Sequence, residues 1–546
     1  MRVMQCKLSL ICFTGLILAS PVAVFANDYH VGSGKAYTTI GAVPLFALAA
    51  GDTVYIYPGI YHEKFLISTR GTARNPIRVV GVLDGNGNRP VIDGQNAVTS
   101  SNNHHHWQDP KLVQWDGVVF ISKNAEASLV PAYIEINNLE IKNGNISNSF
   151  TAENGTVLAY DGFAAGIYIR SAEHVLIENC VIHDNGQGIY NWTGSGSKWW
   201  EGLAKDITIR GNYFYNNGRS GSYAEHQTYT EADGVIIENN HYGPQRPGAW
   251  GSHLKDRSAG TVIRYNYFDS APSGWVIDLV EPQESWRALG SSMKYRQTFV
   301  YGNVVINNGN YSPNYFHWNE DHQMGQGRAT FSDGKLFFYN NTVLTIANQS
   351  EMAYLRYFNT TWGGYECPPD SLPGIIDIRN NIFVVLPRTA GKSVPIQQFA
   401  YCNNQNMNFG VNWVSPGWIV SHTSKAGTRN LVKSLFKGMA LQRTLPTNGT
   451  ATGTSNIFSP AANNPGFVSF NSPYDLHLVS SSDARNKGGI LATEITKNYL
   501  GLNLTPKAQY VPRPSIEVRS GITSLGAFEF IRIENSTASS LSRTLR

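Results

Sequence analysis

The sequence predicts an all-β fold, a single-stranded right-handed parallel β-helix, on the basis of three observations. A short phrase built around an asparagine recurs along the chain, and its apolar residues alternate as in a strand. The interval between occurrences varies from 26 residues (Asn240 to Asn266) to 40 residues (Asn341 to Asn381), as expected for coils with loops of different length. Low charge (15%), 52 glycines and 12% aromatic residues are typical of a β-rich chain with many turns.

The recurring phrase has two alternating apolar residues, an asparagine, and another apolar residue two places on. Its occurrences are Ile134…Asn137…Leu139, Ile209…Asn212…Phe214, Ile237…Asn240…Tyr242, Ile263…Asn266…Phe268, Val300…Asn303…Val305, Phe338…Asn341…Val343 and Ile378…Asn381…Phe383. Cys180 takes the asparagine place in Ile177…Ile182. Side-chain amides at one bend of every coil can hydrogen-bond along the solenoid axis. We therefore expect Asn212, Asn240, Asn266, Asn303 and Asn341 to form one column.

The two ends of the chain differ from this repeat. Residues Met1 to Ala26 have a short basic start, an apolar run and a small-residue cleavage pattern, which predict a signal peptide and a secreted or periplasmic protein. Residues 27–533 are then the β-helix domain, and the Ser/Thr-rich segment 534–546 is expected to be a disordered tail. No later apolar run is long enough for a membrane span, so no membrane association is expected.

The net charge limits the kinds of partner that the chain can bind, and the cysteines limit its possible disulfide bonds. The net charge is +4, or +2 without Arg2 and Lys7 of the leader, which is too small to indicate nucleic acid or a membrane surface. We expect a monomer that binds a polysaccharide. The mature chain keeps Cys180, Cys367 and Cys402, and a bridge between the last two and free thiols remain alternatives.

Titratable residues recur at a similar distance after successive asparagines of the column, and strand alternation predicts that many of them face outwards. These residues are His226, Tyr229, His253, Lys255, Arg257, Asp278, Glu281, His317, Asn319, Glu320 and Arg356. Aromatic residues that could stack on sugar rings accompany them: Tyr190, Trp192, Tyr229, Trp275 and Tyr315. Outer faces of solenoids are polar in any case, so the clustering, rather than any single residue, indicates a site. His104–His106 has no spaced partner and does not indicate a metal site.

Several segments resemble a known group of proteins. Tyr29–Gly34, Gly51–Tyr61, Asp475–Leu478 and Leu525–Phe530 resemble the first and last coils of secreted pectate-lyase-like β-helix proteins. Ser252–Ser258, followed by Val262–Asn266, resembles the lysine-and-arginine coil of β-helix polysaccharide lyases of the alginate and chondroitin type. The resemblance implies a lysine base and an arginine partner, at Lys255 and Arg257. The calcium-binding set of those lyases has no clear counterpart, so Ca²⁺ is only an open option.

β-Elimination on a uronic acid polymer is chemically consistent with this set. Arg257 would neutralise the substrate carboxylate, and the like charges of Arg257 and His253 would favour a neutral, basic amine on Lys255. His226 or Tyr229 would be the alternative base or the acid, and Asp278 would orient Lys255. The predicted substrate-binding residues are His253, His317, Asn319, Tyr315, Trp275 and Arg356.

Three other functions remain open from the sequence. A glycoside hydrolase would use Asp278 with Glu281 or Glu320, although the closely paired aspartates and Arg-Ile-Lys tripeptide of polygalacturonases are absent. A C5-epimerase would share the proton abstraction and return the proton to the other face. A non-catalytic glycan-binding protein would use the aromatic residues alone.

Overall fold

The structure is a computed structural model that describes residues 26–100, 114–123, 129–194, 202–269, 274–308, 314–318, 334–359, 374–402, 406–423, 451–510, 516–518 and 523–528. Within these residues the chain winds as a parallel β-solenoid. Successive coils add strands to three long sheets, called here A, B and C, and each strand pairs with its counterparts in neighbouring coils.

The strands of sheets A and B follow one another in the order of the coils, whereas sheet C begins with an antiparallel pair, Val157–Ala159 with Ser149–Thr151. In the described residues sheet A consists of Asp28–Val31, Thr53–Ile56, Ile77–Gly81, Ala132–Asn137, Glu173–Glu178, Lys205–Arg210, Asp233–Glu238, Ala259–Arg264, Gln297–Tyr301, Lys335–Tyr339, Ile375–Arg379, Asn406–Phe409 and Ala451–Thr452. Sheet B consists of Ile60–Tyr61, Val91–Asp93, Glu140–Lys142, Val181–His183, Tyr213–Tyr215, His241–Tyr242, Tyr267–Phe268, Val304–Asn307, Thr342–Ile346, Ile382–Leu386, Asn412–Val414 and Ile457–Phe458. Sheet C consists of Val157–Ala159, Ser149–Thr151, Ala97–Thr99, Glu63–Ile67, Gly117–Ile121, Ala165–Arg170, Gln187–Trp192, Thr228–Thr230, Leu254–Asp256, Ile277–Leu279, Asn314–Trp318, Tyr354–Asn359, Ile396–Cys402 and Trp418–Thr423.

Short elements complete the described chain. Two antiparallel hairpins join Phe467–Ser469 to Asp475–Leu478 and Ala508–Tyr510 to Ile516–Val518. An α-helix spans Trp286–Ser291, and no described helix is long and apolar enough to cross a membrane. The 3₁₀ turns are Ile40–Ala42, Leu45–Ala47, Gln114–Asp116, Met293–Arg296, Thr454–Asn456 and Thr493–Ile495.

The predicted asparagine column is confirmed at the bend between sheets A and B. The amide N–H of Asn240 donates to Oδ1 of Asn266 at 3.0 Å, and Nδ2 of Asn240 donates to the same oxygen at 3.0 Å. The same two bonds link each later member to the next, and the column runs through Asn212, Asn240, Asn266, Asn303, Asn341, Asn381 and Asn412. Cys180 precedes Asn212, and its N–H donates to Oδ1 of Asn212 at 2.9 Å. Buried backbone amides at the bend thus find side-chain acceptors.

The residue before each column member from Asn212 to Asn381 turns the chain from sheet A into sheet B. It adopts the left-handed conformation, which asparagine and glycine tolerate better than other residues. Asn239 has a φ of 55° and Gly302 a φ of 65°. Tyr265, with a φ of 57°, adopts the same conformation despite its bulky side chain. A tight bend of one residue therefore keeps the two sheets in register from coil to coil.

The sequence phrase at Ile134 is out of register with the others by two residues. Strand pairing aligns Ile136 with Ile177 and Asn137 with Glu178, so Leu139 stands beside Cys180 in the column position. Asn137 lies on the outer side of sheet A instead. The prediction that this asparagine belongs to the series was wrong, because alternation alone allows a shift of two residues.

The C-terminal part of the described chain covers the outer faces of sheets A and B. Phe467, Leu476 and Leu525 pack on Val304 and Leu344 of sheet B. Ile495, Leu504 and Ala508 pack on aromatic residues of sheet A, namely Phe299, Tyr301, Phe337 and Tyr339. These contacts leave part of the outer face of sheet C as the surface on which a large ligand can lie.

Some sequence predictions fall outside the described residues. These are residues 1–25 of the leader, His104–His106, Cys367 and the tail 534–546. Cys180 is a buried free thiol, and burial raises its pKa to about 12.

Candidate functional site

A cleft of about 630 Å³ lies on the outer face of sheet C. Its lining residues come from strands of sheet C and from the loops that enter or follow them. They are Asp116, Asp161, Phe163, Tyr168, Gln187, Tyr190, Tyr223, Ala224, His226, Tyr229, Lys255, Arg257 and Gln283. The cleft therefore brings together Lys255, Arg257, His226 and Tyr229, which the sequence had placed in one site.

A column of outward side chains runs through the floor of the cleft along the solenoid axis. Strand pairing aligns Phe120, Tyr168, Tyr190, Tyr229, Lys255, Asp278 and His317 in that order. Coils of a parallel solenoid are spaced by about 4.8 Å. The column changes from aromatic residues in the earlier coils to charged residues in the later ones.

Lys255 is held by a buried chain of polar contacts. Its Nζ lies 3.0 Å from Oδ2 of Asp278, and the other carboxylate oxygen lies 2.7 Å from Nδ1 of His317. Trp275 stacks on the His317 ring at 5.1 Å. An opposite charge at this distance favours the ammonium form, which opposes the effect expected from Arg257 and His253. The neutral Lys255 expected from the sequence stays a prediction.

Arg257 supports Tyr229 and the loop after strand Ile277–Leu279. Its Nε donates to Oη of Tyr229 at 2.6 Å, and one terminal nitrogen donates to the carbonyl oxygen of Glu281 at 2.6 Å. The guanidinium is 1% exposed. A guanidinium that donates to a phenol oxygen stabilises negative charge on that oxygen. The geometry makes Tyr229 the cleft residue best prepared to accept a proton.

The hydrogen bonding of His226 determines what this residue can do. The backbone N–H of Ser252 donates to Nδ1 of His226 at 2.9 Å. In the neutral ring the proton is therefore on Nε2, because the other nitrogen is an acceptor. His226 can donate a hydrogen bond through Nε2 but cannot take a proton there. Its role as alternative base or acid stays a prediction, and this hydrogen bond favours the acid.

Two carboxyl groups that the sequence had not indicated lie in the cleft near the aromatic end of the column. Asp116 ends the 3₁₀ turn that leads into strand Gly117–Ile121, and Asp161 precedes strand Ala165–Arg170. Burial and the neighbouring charge of Asp161 raise the pKa of Asp116 to about 7, against the opposing effects of Arg170 and Lys64. Asp116 therefore changes charge close to neutral pH.

The loop that borders the cleft is tied down by Glu231. The backbone N–H groups of Glu284 and Ser285 donate to Oε1 of Glu231 at 3.0 and 2.9 Å. Burial raises the pKa of Glu231 to about 7, although these hydrogen bonds and Arg257 oppose the rise. Together with Arg257 on Glu281, Glu231 fixes the position of Gln283, which lies 3.4 Å from the Tyr229 hydroxyl.

Two residues that were expected to bind substrate lie inside the solenoid. His253 is 0% exposed, and Nε2 of Gln227 lies 2.7 Å from its Nδ1. Tyr315 is also 0% exposed, with its hydroxyl 2.7 Å from Oγ1 of Thr345. Both residues stand where the chain bends from sheet B into sheet C, and consecutive residues there point inwards. Strand alternation, on which the prediction depended, does not extend through this bend.

Of the other predicted binding residues, Arg356, Trp275 and His317 do not line the cleft. Arg356 is buried, its Nε donates to Oε1 of Gln398 at 3.3 Å, and pairing aligns it with Asn314, not with the column of Lys255. Its offset from Asn341 misled the prediction because the loop between sheets B and C differs in length between coils. Trp275 and His317 act through Asp278, and Asn319 lies outside the described residues.

The carboxyl groups expected for a hydrolase are not placed for that chemistry. Asp278 is 2% exposed and engaged with Lys255 and His317, and Glu281 is 1% exposed with Oε2 3.9 Å from Arg257. Neither lines the cleft. Glu320 lies outside the described residues. Within the described ranges no three His, Cys, Asp or Glu side chains are grouped as metal ligands.

The fold agrees with a known family model. Residues 91–268 match the model described as right handed beta helix region. The chain folds as a right-handed parallel β-helix. No curated protein sequence matches it.

Solved structures similar to this β-helix include carbohydrate-active enzymes. A rhamnogalacturonan lyase shares 13% identity over 67% of this chain and 84% of its own, with a TM-score of 0.41. A lacto-N-biosidase from Eubacterium ramulus shares 11% identity over 72% of this chain and 64% of its own (TM-score 0.39). A pectate lyase shares 12% identity over 92% and 96% (TM-score 0.37). The activity must therefore be argued from the cleft itself.

Proposed function

We propose that this β-helix is a carbohydrate-active enzyme that binds a uronate-containing polysaccharide along sheet C and cleaves it by β-elimination. The observation that carries the proposal is the pair of adjacent coils that place Tyr229, with Arg257 on its hydroxyl, beside the Lys255 ammonium in one cleft. The pair supplies a proton acceptor and a cation on neighbouring positions of one column. β-Elimination at a uronate needs both.

Lys255 is the group that faces the substrate carboxylate. Its contact with Asp278 keeps it positively charged, and it lines the cleft. A cation beside the carboxylate lowers the energy of the enolate-like state that forms when the C5 proton leaves. This role replaces the one expected for Arg257, whose guanidinium is enclosed and bonded to Tyr229 and Glu281.

Tyr229 accepts the C5 proton. In its deprotonated form, which Arg257 stabilises, Oη takes the proton and the C5–H electron pair forms the C4–C5 double bond. The C4–O bond breaks at the same time, and its electron pair stays on the leaving oxygen. Tyr229, now protonated, returns the proton to that oxygen and is ready for another cycle. His226 can donate a hydrogen bond to the substrate through Nε2.

The test is a product assay with a panel of uronate polymers. We expect new ultraviolet absorbance from unsaturated chain ends, and Tyr229→Phe should reduce kcat by about 10²- to 10⁴-fold, the usual contribution of a general base. Tyr215→Phe, on the outer side of sheet B, is the matched control and should retain full activity. Lys255→Arg keeps the charge and should retain part of the activity, whereas Lys255→Met should lose it.

These variants also distinguish a tyrosine base, Tyr229, from a lysine base, Lys255. A lysine base would be lost equally in Lys255→Arg and Lys255→Met, and Tyr229→Phe would then have a small effect. That result would refute the role given to Tyr229. A change of uronate stereochemistry without chain cleavage would indicate an epimerase, and binding without either product would indicate a glycan-binding protein.

Hydrolysis by Asp116 and Asp161 is a second candidate, favoured by the raised pKa of Asp116. A carboxyl group with a pKa of about 7 is half protonated at neutral pH and can serve as a general acid, with a second carboxylate as its partner. This mechanism would produce reducing ends without unsaturation, and Asp116→Asn would abolish turnover. β-Elimination instead gives one unsaturated end with each new reducing end, and Asp116→Asn should then remain active.

A further inference from the structure

The charges that line the cleft are separated along the solenoid axis. Lys255 and Arg257 lie in the later coils, and Asp116 and Asp161 lie towards the earlier ones. Strand Gly117–Ile121, which follows Asp116, is three strands of sheet C away from strand Thr228–Thr230, which carries Tyr229. At about 4.8 Å per coil this separation is roughly 14 Å, so the two ends contact different sugar residues of a bound chain.

The two carboxyl groups are fixed at their end of the cleft. The backbone N–H of Asp161 donates to the carbonyl oxygen of Trp115 at 3.1 Å, which joins the segments that carry Asp161 and Asp116. Oδ1 of Asp161 accepts the N–H of Phe163 at 2.7 Å. The Asp161 carboxyl group is therefore held by its own loop, and the backbone segments that carry the two aspartates are joined.

The cations near Asp116 lie beneath the cleft surface. Lys64 is 2% exposed, is bonded to the carbonyl oxygens of Gln114 and Gly117, and packs against Phe150 and Tyr160. Arg170 is 5% exposed and stacks on Trp192. Neither lines the cleft, whereas Asp116 and Asp161 do. Arg219 lies beside Gly162 and is 39% exposed, but its guanidinium is paired with Glu225 at 3.0 Å. The unpaired charge that a ligand meets at this end is therefore mainly that of the carboxyl groups.

Exposed aromatic rings accompany the carboxyl groups. Phe163 is 46% exposed and Tyr223 is 77% exposed, and both line the cleft. Tyr168 and Tyr190 form its floor, with ring centres 5.3 Å apart. Exposed aromatic side chains in a groove are typical of ligand sites, and their faces suit the apolar faces of sugar rings. This end of the cleft is thus built for a ring that carries no negative charge.

We infer that the substrate is a heteropolysaccharide that places a uronate at Tyr229 and Lys255 and an uncharged sugar at the Asp116 end of the cleft. Asp116 and Asp161 are the specificity residues, because they repel a second uronate, and the aromatic rings bind the uncharged sugar. Polymers of uronate alone are poor substrates. The inference depends on the proposed β-elimination and adds the identity of the neighbouring sugar.

The test compares initial rates on two kinds of polymer, one with alternating uronate and neutral sugars and one of uronate only, by the absorbance of unsaturated ends. The wild-type protein should prefer the alternating polymer by at least about tenfold, since like charges brought together in an interface are strongly unfavourable. Asp161→Asn should raise the ratio of the rate on the uronate-only polymer to the rate on the alternating polymer by about tenfold. Asp483→Asn, an exposed aspartate away from the cleft, is the control for the change in net charge.

The pH dependence provides an independent measurement. Asp116, faced by Asp161, Tyr168, Lys64 and Arg170, has a pKa of about 7 and loses its charge on acidification, whereas the uronates stay ionised. The preference for the alternating polymer should therefore shrink between about pH 8 and pH 6. In Asp116→Asn it should be small at both pH values.

The possible failures can be told apart. Equal rates on both polymers, or no effect of Asp161→Asn on their ratio, would refute the inference and leave the elimination mechanism standing. Reducing ends without unsaturation, with Asp116→Asn inactive, would refute the proposed function and this inference together. No cleavage of any uronate polymer would have the same consequence.

Discussion

Two columns of side chains run along this β-helix, and they are built on opposite principles. The column at the bend between sheets A and B uses asparagine in coil after coil, from Asn212 to Asn412. The outer column of sheet C presents Phe120, Tyr168, Tyr190, Tyr229, Lys255, Asp278 and His317, and it moves from apolar to charged. The first column repeats because every coil has the same bend to stabilise. The second varies, and under the proposed function each of its coils contacts a different part of the polysaccharide.

The comparison also separates two ways of satisfying buried polar groups. In the asparagine column every member makes the same bonds to its neighbours, and the bonds are between uncharged groups. In the outer column, Lys255, Asp278 and His317 form an ionic chain in which each partner is different. Loss of one member should therefore cost more in the outer column, because it leaves a buried charge rather than a buried amide.

The largest effect is expected for Asp278→Ala. Lys255 and Asp278 have side chains that are 11% and 3% exposed, and removing the carboxylate breaks a buried ion pair with a separation of 3.0 Å. Breaking a buried ion pair from one side costs about 3–5 kcal/mol, and we expect a loss of that size in the free energy of unfolding measured by chemical denaturation. Asp233→Ala is the control, since Asp233 pairs with Lys294 at the surface, with side chains 23% and 34% exposed.

Asp233→Ala should lower the free energy of unfolding by less than about 1 kcal/mol. The double variant Asp278→Ala with Lys255→Met should recover much of the loss, because no unpaired charge remains. Equal losses in Asp278→Ala and Asp233→Ala would show that the contacts of Asp278 stabilise the fold no more than a surface ion pair does.

The asparagine column is tested by Asn266→Ala, with Asn137→Ala as its counterpart. Oδ1 of Asn266 accepts two bonds from Asn240, and its Nδ2 donates to Ile237 and Asn303. The alanine leaves buried groups without partners, and we expect a loss of about 3 kcal/mol. Asn137 has the same place in a sequence phrase but lies outside the column, so its replacement should cost less than about 1 kcal/mol. Similar losses for the two would contradict the structural role of the column.

The difference between the columns explains what the sequence could predict. The asparagine column could be found because the same residue recurs wherever the chain makes the same bend. It predicted the fold and the coil in which Lys255 lies. Asp116 and Asp161 were missed because the coil of Asp116 has no column asparagine from which to count. His253 and Tyr315 were misplaced because the bend before sheet C interrupts strand alternation. Arg356 was misplaced because loop length changes the offset from Asn341.

The smallest effect is expected where the asparagine column begins. Cys180 occupies a column position, its N–H donates to Asn212, and its Sγ lies 3.9 Å from the carbonyl oxygen of Ile136. In the next coil the corresponding Nδ2 of Asn212 donates to Ile177 at 2.9 Å. Asn179, with a φ of 52°, provides the same left-handed bend that precedes the asparagines. Cys180→Asn should therefore extend the column by one member, with new bonds to Ile136 and Asn212.

The expected gain in the free energy of unfolding is modest. A buried hydrogen bond contributes about 0.5–1.5 kcal/mol net, and the slightly larger amide must fit the space of the thiol, so we expect about 0.5 kcal/mol. Cys180→Ser, whose hydroxyl is too short to reach both partners, is the control and should be no more stable than the wild type. A loss of more than about 1 kcal/mol in Cys180→Asn would show that Leu139 and its coil require an apolar neighbour. The column would then end at Cys180 because the neighbouring core residues pack only against an apolar side chain. The backbone bend would not be the cause.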